Sequence, residues 1–176
     1  MSDRGKSART IANAQHAGEQ DAKQVTLHAT CVALGDRGVL ITGPSGSGKS
    51  DLALRLIDGG ARLIVDDLTT LTIADGALIA LAPPDLGGAL AGHIEVRGIG
   101  IVAVATAAQA RLALEVALTP SAEIERLPEP ETARYLGVAL RKVRIDPVTA
   151  SAAAKVRLAA TSNALERPPA PPSDAR

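Results

Sequence analysis

The chain has 176 residues, and its 19 Lys and Arg balance its 19 Asp and Glu to a formal net charge of zero at pH 7. A neutral chain whose basic residues form no block lacks the electrostatic footprint of a protein that binds nucleic acid or an anionic membrane surface. Phe and Trp are absent and Tyr135 is the only aromatic residue, so base stacking is disfavoured and the core must be built from aliphatic side chains.

The two ends of the chain differ in composition from its middle. Residues 1–23 are polar and small and predict a disordered segment. Residues 167–176 contain four prolines and predict an extended, unpacked tail. We expect residues 24–166 to form one folded domain. No apolar stretch is long enough to cross a bilayer and the N-terminus lacks the apolar core of a signal peptide, so we expect a cytoplasmic protein.

Alternating apolar and polar residues predict a first strand over residues 25–34. This run contains the single cysteine, Cys31, which excludes an internal disulfide and is expected to be a buried structural thiol. A turn at residues 35–38 then leads into a short buried strand at 39–42. The chain therefore begins its folded part with two strands that are joined by a tight connection.

Residues 49–58 predict a helix that ends at Gly59 and Gly60. After it we expect several strands, at residues 61–66, 68–74, 77–82, 93–97, 101–105, 111–118 and 138–145. Asp75-Gly76 is a strong hairpin signal between two of them.

Asp146 followed by Pro147 is a typical helix start, because an acidic N-cap precedes a proline at the first helical position. We expect this second helix, which is rich in alanine, to run to about residue 165. The elements together predict an α/β protein with a mixed β-sheet core and few helices. The regular strand–helix alternation of a doubly wound nucleotide-binding fold is absent from this pattern.

One segment between the second strand and the first helix fits the phosphate-binding loop pattern G-x-x-x-x-G-K-[ST] at every fixed position. Its residues are Gly43, Pro44, Ser45, Gly46, Ser47, Gly48, Lys49 and Ser50. Glycines let backbone N–H groups turn inward around a polyphosphate. Lys49 supplies a positive charge near the β- and γ-phosphates, and the Ser50 hydroxyl is suited to Mg²⁺. The loop predicts that the protein binds a nucleotide but does not indicate which reaction, if any, the nucleotide serves.

Asp66 and Asp67 follow an apolar strand and predict a metal helper and a general base near the loop; the alternative is a solvated turn. His28 lies on the polar face of its strand, where a surface histidine is the commoner role. Glu95 and Arg97 share a face before two glycines, which suits either a site or a surface ion pair. Arg126 is either a phosphate clamp or an ordinary exposed arginine.

This combination resembles the catalytic domain of the HPr kinase/phosphorylase family, bacterial enzymes that act on a serine of the phosphocarrier protein HPr. The resemblance covers about residues 27–127. It is carried by five stretches of sequence, namely His28, residues 38–50, residues 61–67, residues 82–84 and residues 94–101. The phosphate loop is common to many proteins, whereas the double aspartate together with the E-x-R-G-x-G block is specific to this family.

The resemblance implies a fold similar to phosphoenolpyruvate carboxykinase around the phosphate loop. It also implies an ATP-dependent protein-serine kinase that phosphorylates HPr, also dephosphorylates phosphoserine-HPr, and so regulates carbohydrate metabolism through the phosphotransferase system. The implied cofactors are ATP and Mg²⁺ or Mn²⁺, and the implied assembly is a homo-oligomer. Typical members carry a separate N-terminal domain, whereas this chain resembles the catalytic part alone and is similar to the short form found in alphaproteobacteria.

The resemblance assigns roles residue by residue. Lys49 and the loop backbone hold the ATP phosphates, and the metal is held by Ser50, Asp66 and Glu95. Asp67 accepts the proton of the attacking serine and returns it in the reverse reaction. Further family positions are His28 beside the reacting groups, the catalytic Arg126, and the signature residues Glu95, Val96, Arg97, Gly98, Ile99 and Gly100.

The chain departs from the family pattern at two places. Pro44 stands where members usually have Asp, and residues 147–155 match poorly the family loop that is linked to dephosphorylation. Kinase activity is therefore better supported by the sequence than phosphorylase activity. Two other functions remain open on the sequence: a small-metabolite kinase on a phosphate-loop scaffold, and a nucleotide-binding regulatory module without catalysis.

Overall fold

The computed structural model describes residues 24–83 and 92–162, so the predicted disordered segment 1–23 and the tail 167–176 lie outside the described residues. Within them the chain forms ten β-strands and two α-helices. The strands are β1 (Gln24–Leu34), β2 (Arg37–Thr42), β3 (Arg62–Val65), β4 (Leu68–Ala74), β5 (Ala77–Leu81), β6 (His93–Val96), β7 (Gly100–Ala103), β8 (Gln109–Leu118), β9 (Glu131–Tyr135) and β10 (Val138–Ile145); the helices are α1 (Lys49–Asp58) and α2 (Ala152–Thr161).

The predicted mixed sheet is confirmed, and it contains eight of the strands. Strands β2, β1, β4, β5 and β8 pair in that order, and β8 pairs again with β2, so these five strands close into a circuit. The β2–β8 pairing is parallel, whereas the other pairings of the circuit are antiparallel. Strand β3 pairs with β1, and β10 and then β9 extend the sheet from β8. Strands β6 and β7 form a separate hairpin.

Two apolar clusters lie on opposite faces of the central strands. On β2, Val39 and Ile41 belong to the cluster that the helices cover, while Leu40 belongs to the other cluster. This alternation follows from the period of two in a strand. Helix α1 contributes Leu52 and Leu56 to the first cluster. The phosphate loop thus begins at the end of a strand that is buried on both faces.

Several local predictions are confirmed. Helix α1 has the predicted bounds and ends at Gly59, and Gly60 follows with φ 95°. The β4–β5 hairpin turns at Asp75 and Gly76, both with positive φ (49° and 71°), as a tight hairpin turn requires. Cys31 is fully buried, and burial raises the pKa of its thiol.

The predicted start of the second helix is wrong. Helix α2 begins at Ala152, six residues after Asp146. The Asp146 carboxylate accepts hydrogen bonds from the Ser121 N–H (2.8 Å), from the Ser121 hydroxyl and from the Val148 N–H (3.1 Å). It is therefore part of a turn that is tied to a distant segment, and it does not cap a helix. The predicted end near residue 165 lies outside the described residues.

Strand β9 is absent from the sequence-based prediction. The strand, Glu131–Tyr135, is short and has no fully buried residue, and it pairs only with β10 among the described strands. An edge strand of this kind lacks the apolar alternation from which a strand is predicted. Among the described residues, neither helix has the length and apolar character that crossing a bilayer requires.

Candidate phosphate-binding site

The loop between β2 and α1 presents backbone donors at a helix N-terminus. Gly46 (φ 74°) and Gly48 (φ 95°) take positive φ values that other residues adopt only with strain. Gly48 caps α1 without a side-chain hydrogen bond, and the first helical bond runs from the Leu52 N–H to the Gly48 carbonyl. The N–H groups of the first turn therefore have no acceptor within the helix, which favours an anion at this place.

Lys49 is held across the mouth of the loop. Its ammonium donates to the carbonyls of Gly43 (3.1 Å) and Pro44 (3.0 Å), and the residue is only 8% exposed. An ammonium has three donors, so one remains for a ligand. Lys49 forms no ion pair within residues 24–83 and 92–162. The loop thus carries an uncompensated positive charge next to its free N–H groups.

Asp66 connects three elements of the fold. One carboxylate oxygen, Oδ1, accepts hydrogen bonds from the Ser50 hydroxyl of α1 (3.0 Å) and the Thr30 hydroxyl of β1 (2.7 Å). It also accepts from the Asp67 N–H (3.2 Å), whereas Oδ2 has no partner among the described residues. A serine hydroxyl and a carboxylate are hard oxygen ligands. The pair Ser50 and Asp66 therefore fits Mg²⁺ or Mn²⁺ chemically.

Asp67 occupies a strained turn. Its φ is 69°, and the Leu68 N–H bonds to the Asp66 carbonyl (2.9 Å), which closes a three-residue γ-turn around it. Its own carbonyl accepts the Ala29 N–H (3.1 Å), so β1 holds the turn in place. The carboxylate is exposed. Positive φ in a residue other than glycine costs about 1–3 kcal/mol and clusters at functional sites.

His28 lies beside this turn. In the antiparallel pairing of β1 with β4 it faces Leu68, the residue that follows Asp67. Its side chain is exposed and makes no hydrogen bond within the described part of the chain. The structure thus brings His28 next to the turn that holds Asp66 and Asp67, and Asp66 joins this turn to the phosphate loop through Ser50.

The signature residues 95–100 lie on the β6–β7 hairpin. Ile94 is buried in the helix-covered cluster, so Glu95 points away from it and is exposed. The turn closes with the Ile99 N–H on the Val96 carbonyl (2.9 Å). Over the described residues Glu95 and Arg97 form no ion pair, and no three His, Cys, Asp or Glu side chains gather as metal ligands. Glu95 is therefore not brought into contact with Asp66.

Arg126 lies in the exposed segment between a short 3-10 helix (Ser121–Glu123) and β9. It makes no hydrogen bond or ion pair to any other residue that the structure describes. The structure therefore leaves its guanidinium available without joining it to the loop.

A buried carboxylate next to the start of the loop is absent from the sequence-based prediction. Glu115 on β8 is 4% exposed and accepts the hydroxyl of Thr42, the last residue before the loop (2.9 Å), and that of Tyr135 (3.0 Å). The available signal was a charged residue in the middle of the apolar run 112–118. A charge in a buried strand requires partners, and these come from segments far away in sequence.

The fold and the site define a class, a mixed-sheet protein in which a phosphate loop lies against an acidic strand end. Residues 19–167 match the family model described as the HPr serine kinase C-terminal domain. The chain belongs to this family.

Individual relatives agree with the family. An HPr kinase/phosphorylase of Polaromonas naphthalenivorans (strain CJ2) is 35% identical over 156 residues, covering 82% of this chain and 48% of the relative. That of Clostridium botulinum (strain Eklund 17B / Type B) is 46% identical over 83 residues, 47% of this chain and 26% of the relative. The chain thus spans about half, or less, of the curated relatives it matches.

A solved structure shows the same fold. The structure of the Hpr(Ser) kinase/phosphatase from Coxiella burnetii superposes with a TM-score of 0.63 at 29% sequence identity. The match covers 76% of this chain and 96% of that chain. The predicted class, an α/β phosphate-loop fold with a mixed sheet, is confirmed.

Proposed function

We propose that this protein is an ATP-dependent protein-serine kinase that phosphorylates HPr in the cytoplasm. The observation that carries the proposal is the hydrogen bond of 3.0 Å between Ser50 of the phosphate loop and Asp66, with Asp67 next in the chain. This contact places an acidic pair beside a loop built for polyphosphates. Family membership directs the proposal to HPr, the substrate that the names of the relatives print.

ATP would bind with its phosphates on the loop. The N–H groups of the first turn of α1, those of the loop apart from Pro44 and Ser47, and the remaining donor of Lys49 would hold the phosphate oxygens. Ser50 and Asp66, with Glu95 from the signature hairpin, would hold Mg²⁺ or Mn²⁺, which when bound neutralises charge on the phosphates. Holding this site requires the β6–β7 hairpin to bring Glu95 toward Asp66.

Asp67 would act as the general base. The HPr serine oxygen attacks the γ-phosphorus, the bond from the γ-phosphorus to the bridging oxygen breaks, and ADP leaves. The serine proton passes to the Asp67 carboxylate, and in the reverse direction Asp67 gives it back. Arg126 would stabilise charge on the transferred group, and His28 would lie beside the reacting atoms. The chain would act as a homo-oligomer.

The proposal is tested by incubating the protein with Mg²⁺, HPr and ATP labelled at the γ-phosphate. We expect label on a serine of HPr and none on an HPr whose acceptor serine is replaced by alanine. Unlabelled HPr in the presence of bound ATP would contradict the proposal. ATP consumption with small metabolites instead of HPr would favour a metabolite kinase. The reverse assay, with phosphoserine-HPr and inorganic phosphate, decides whether the protein also dephosphorylates HPr.

A further inference from the structure

Glu115 is a buried carboxylate for which the proposed reaction has no use. It is 4% exposed, and each of its oxygens accepts one hydroxyl, Oε1 that of Thr42 and Oε2 that of Tyr135. Burial of a carboxylate is unfavourable unless hydrogen bonds compensate it. Both hydroxyls are therefore held in a fixed orientation, as donors to the carboxylate.

The two hydroxyl donors, Thr42 and Tyr135, lie at the ends of two strands that are far apart in the chain. Thr42 ends β2, and the next residue is Gly43, the first residue of the phosphate loop. Tyr135 ends β9, which follows the exposed segment that carries Arg126. Strand β9 pairs with β10 and not with β8, so the Tyr135 side chain must reach past β10 to meet Glu115.

The environment of Tyr135 keeps its hydroxyl a hydrogen-bond donor to Glu115. Burial, the nearby Glu115 charge and the hydrogen bond to Glu115 raise the pKa of the Tyr135 phenol. The phenol therefore stays protonated and remains a donor over the physiological pH range. Leu140 belongs to the apolar cluster on the face of the sheet away from the helices, and the half-buried Tyr135 packs against that cluster.

We propose that Glu115 is a positioning residue that couples the phosphate loop to β9 through the chain Thr42–Glu115–Tyr135. Polyphosphate that binds at residues 43–50 displaces Gly43 and with it the neighbouring Thr42, and so changes the geometry of the hydrogen bond from Thr42 to Glu115. A change in the Thr42 hydrogen bond alters the charge that Glu115 presents to Tyr135, because hydrogen bonds in a row polarise one another. This inference rests on the proposed function only in requiring that the loop binds polyphosphate.

The chain contains its own probe for this coupling. Tyr135 is the only Phe, Tyr or Trp among the 176 residues. All tyrosine fluorescence of the chain therefore comes from the side chain that donates to Glu115. Mg²⁺-tripolyphosphate is a suitable ligand because, unlike ATP, it has no base that absorbs. We expect it to change the fluorescence of the full chain with the same midpoint as its binding, measured separately by equilibrium dialysis.

Two substitutions at Thr42 separate coupling from mere stability. Thr42→Ser keeps the hydroxyl and should keep the fluorescence change. Thr42→Val keeps the shape without the donor and should lose the change, while tripolyphosphate affinity stays within about threefold. Glu115→Gln should lose the change as well, but it is the variant more prone to fold poorly because its site is buried.

The outcomes are distinct. Tripolyphosphate that binds without changing the fluorescence of the unsubstituted chain overturns the coupling and leaves the proposed function standing. A fluorescence change that persists in Thr42→Val also overturns it. Absence of binding to the unsubstituted chain in dialysis overturns the coupling, whereas the proposed function is overturned only if label from ATP also fails to reach HPr.

Discussion

Asp67 combines a reactive position with a strained backbone. Its φ of 69° and the γ-turn around it aim an exposed carboxylate from the end of β3, next to the Asp66 carboxylate that bonds Ser50. Asp and Asn adopt this conformation more readily than other residues with a side chain. The type of residue at position 67 is therefore constrained by the backbone as well as by the chemistry that we propose for it.

Asp67→Asn separates these two constraints. Asn tolerates positive φ, so we expect the free energy of unfolding in urea to change by less than about 1 kcal/mol. Asn cannot accept the serine proton, so phosphoryl transfer to HPr should fall by a factor of about 10² or more. ATP affinity should survive.

Asp67→Gly provides the matched control for strain. Glycine adopts positive φ without strain, so the free energy of unfolding of Asp67→Gly should be at least as high as that of Asp67→Ala. Phosphoryl transfer to HPr should be lost in both variants. Transfer at the unsubstituted rate in Asp67→Asn would contradict the assignment of the base.

Asp146 makes stability depend on pH. Hydrogen bonds from the Ser121 hydroxyl, and from the Val148 and Ser121 N–H groups, hold the pKa of its carboxyl below its usual range. The unfolded chain therefore binds the proton at a higher pH than the folded chain does. This stabilisation is complete above the unfolded pKa of about 3.9 and is lost as pH falls through the lower folded pKa.

We expect Asp146→Asn to weaken the acid dependence of folding. The free energy of unfolding, measured in urea from about pH 6 down to about pH 2, should fall less steeply for this variant than for the unsubstituted chain. Ser121→Ala removes the largest cause of the pKa shift and should flatten the same curve in part. Curves with the slope of the unsubstituted chain in both variants would show that this carboxylate does not set acid stability.

At the scale of elements, α1 is the part that positions the loop. Leu52 and Leu56 are fully buried one turn apart on its inner face. Arg157 of α2 donates to the carbonyls of Arg55 and Leu56 in the last turn of α1. Arg55 in turn donates to the carbonyls of Pro147 and Thr149. The helix is thus fixed at its core face and at its C-terminal end, which leaves its N-terminus to the ligand.

Leu56→Ala should loosen this helix. Removal of a fully buried leucine side chain costs about 2–5 kcal/mol, because apolar contact is lost and a cavity is left. Leu158 on α2 is 69% exposed and is the matched control; its replacement by alanine should change stability by about 0.5 kcal/mol or less. Urea denaturation of both variants measures the difference, and equal costs would mean that the packing of α1 is not what holds it.

The sequence predicted α1 well and α2 poorly for a physical reason. The pattern of α1 is local, with leucines four residues apart and glycines at its end. The start of α2 depends on Asp146, whose carboxylate bonds to Ser121, 25 residues earlier. A local capping pattern carries no information on Ser121, which only folding brings close to Asp146. The residue that the sequence predicts as an N-cap therefore lies in a turn.

At the scale of the whole molecule, ligand binding and stability are linked. A ligand that binds only the folded chain stabilises it by RT ln(1 + [L]/Kd), about 2.7 kcal/mol at a ligand concentration of 100 Kd. Mg²⁺-ATP should therefore raise the unfolding temperature of the full chain with increasing concentration. Lys49→Ala should abolish this increase, since it removes the positive charge held at the loop mouth.

Lys155→Ala is the control for that measurement, because Lys155 is an exposed lysine on α2. Its unfolding temperature should rise with Mg²⁺-ATP as much as that of the unsubstituted chain. An equal rise in Lys49→Ala would show that the loop is not where the nucleotide binds.

The sequence by itself determined the phosphate loop, the helix that follows it, most strands and the acidic pair. These features depend on alternation, helical spacing and turn residues, which act between near neighbours in the chain. The residue roles that the resemblance implies all stay predictions, and among the described residues neither Glu95 nor Arg126 contacts the loop. Only the tertiary structure decided that β8 pairs with β2 and so closes the strand circuit. It also decided that Thr30, Ser50 and Asp67 all donate hydrogen bonds to one oxygen of Asp66. The hydrogen bonds from Thr42 and Tyr135 to Glu115 are a third such feature. Those contacts join residues far apart in sequence, and packing of the two apolar clusters, not local pattern, brings them together.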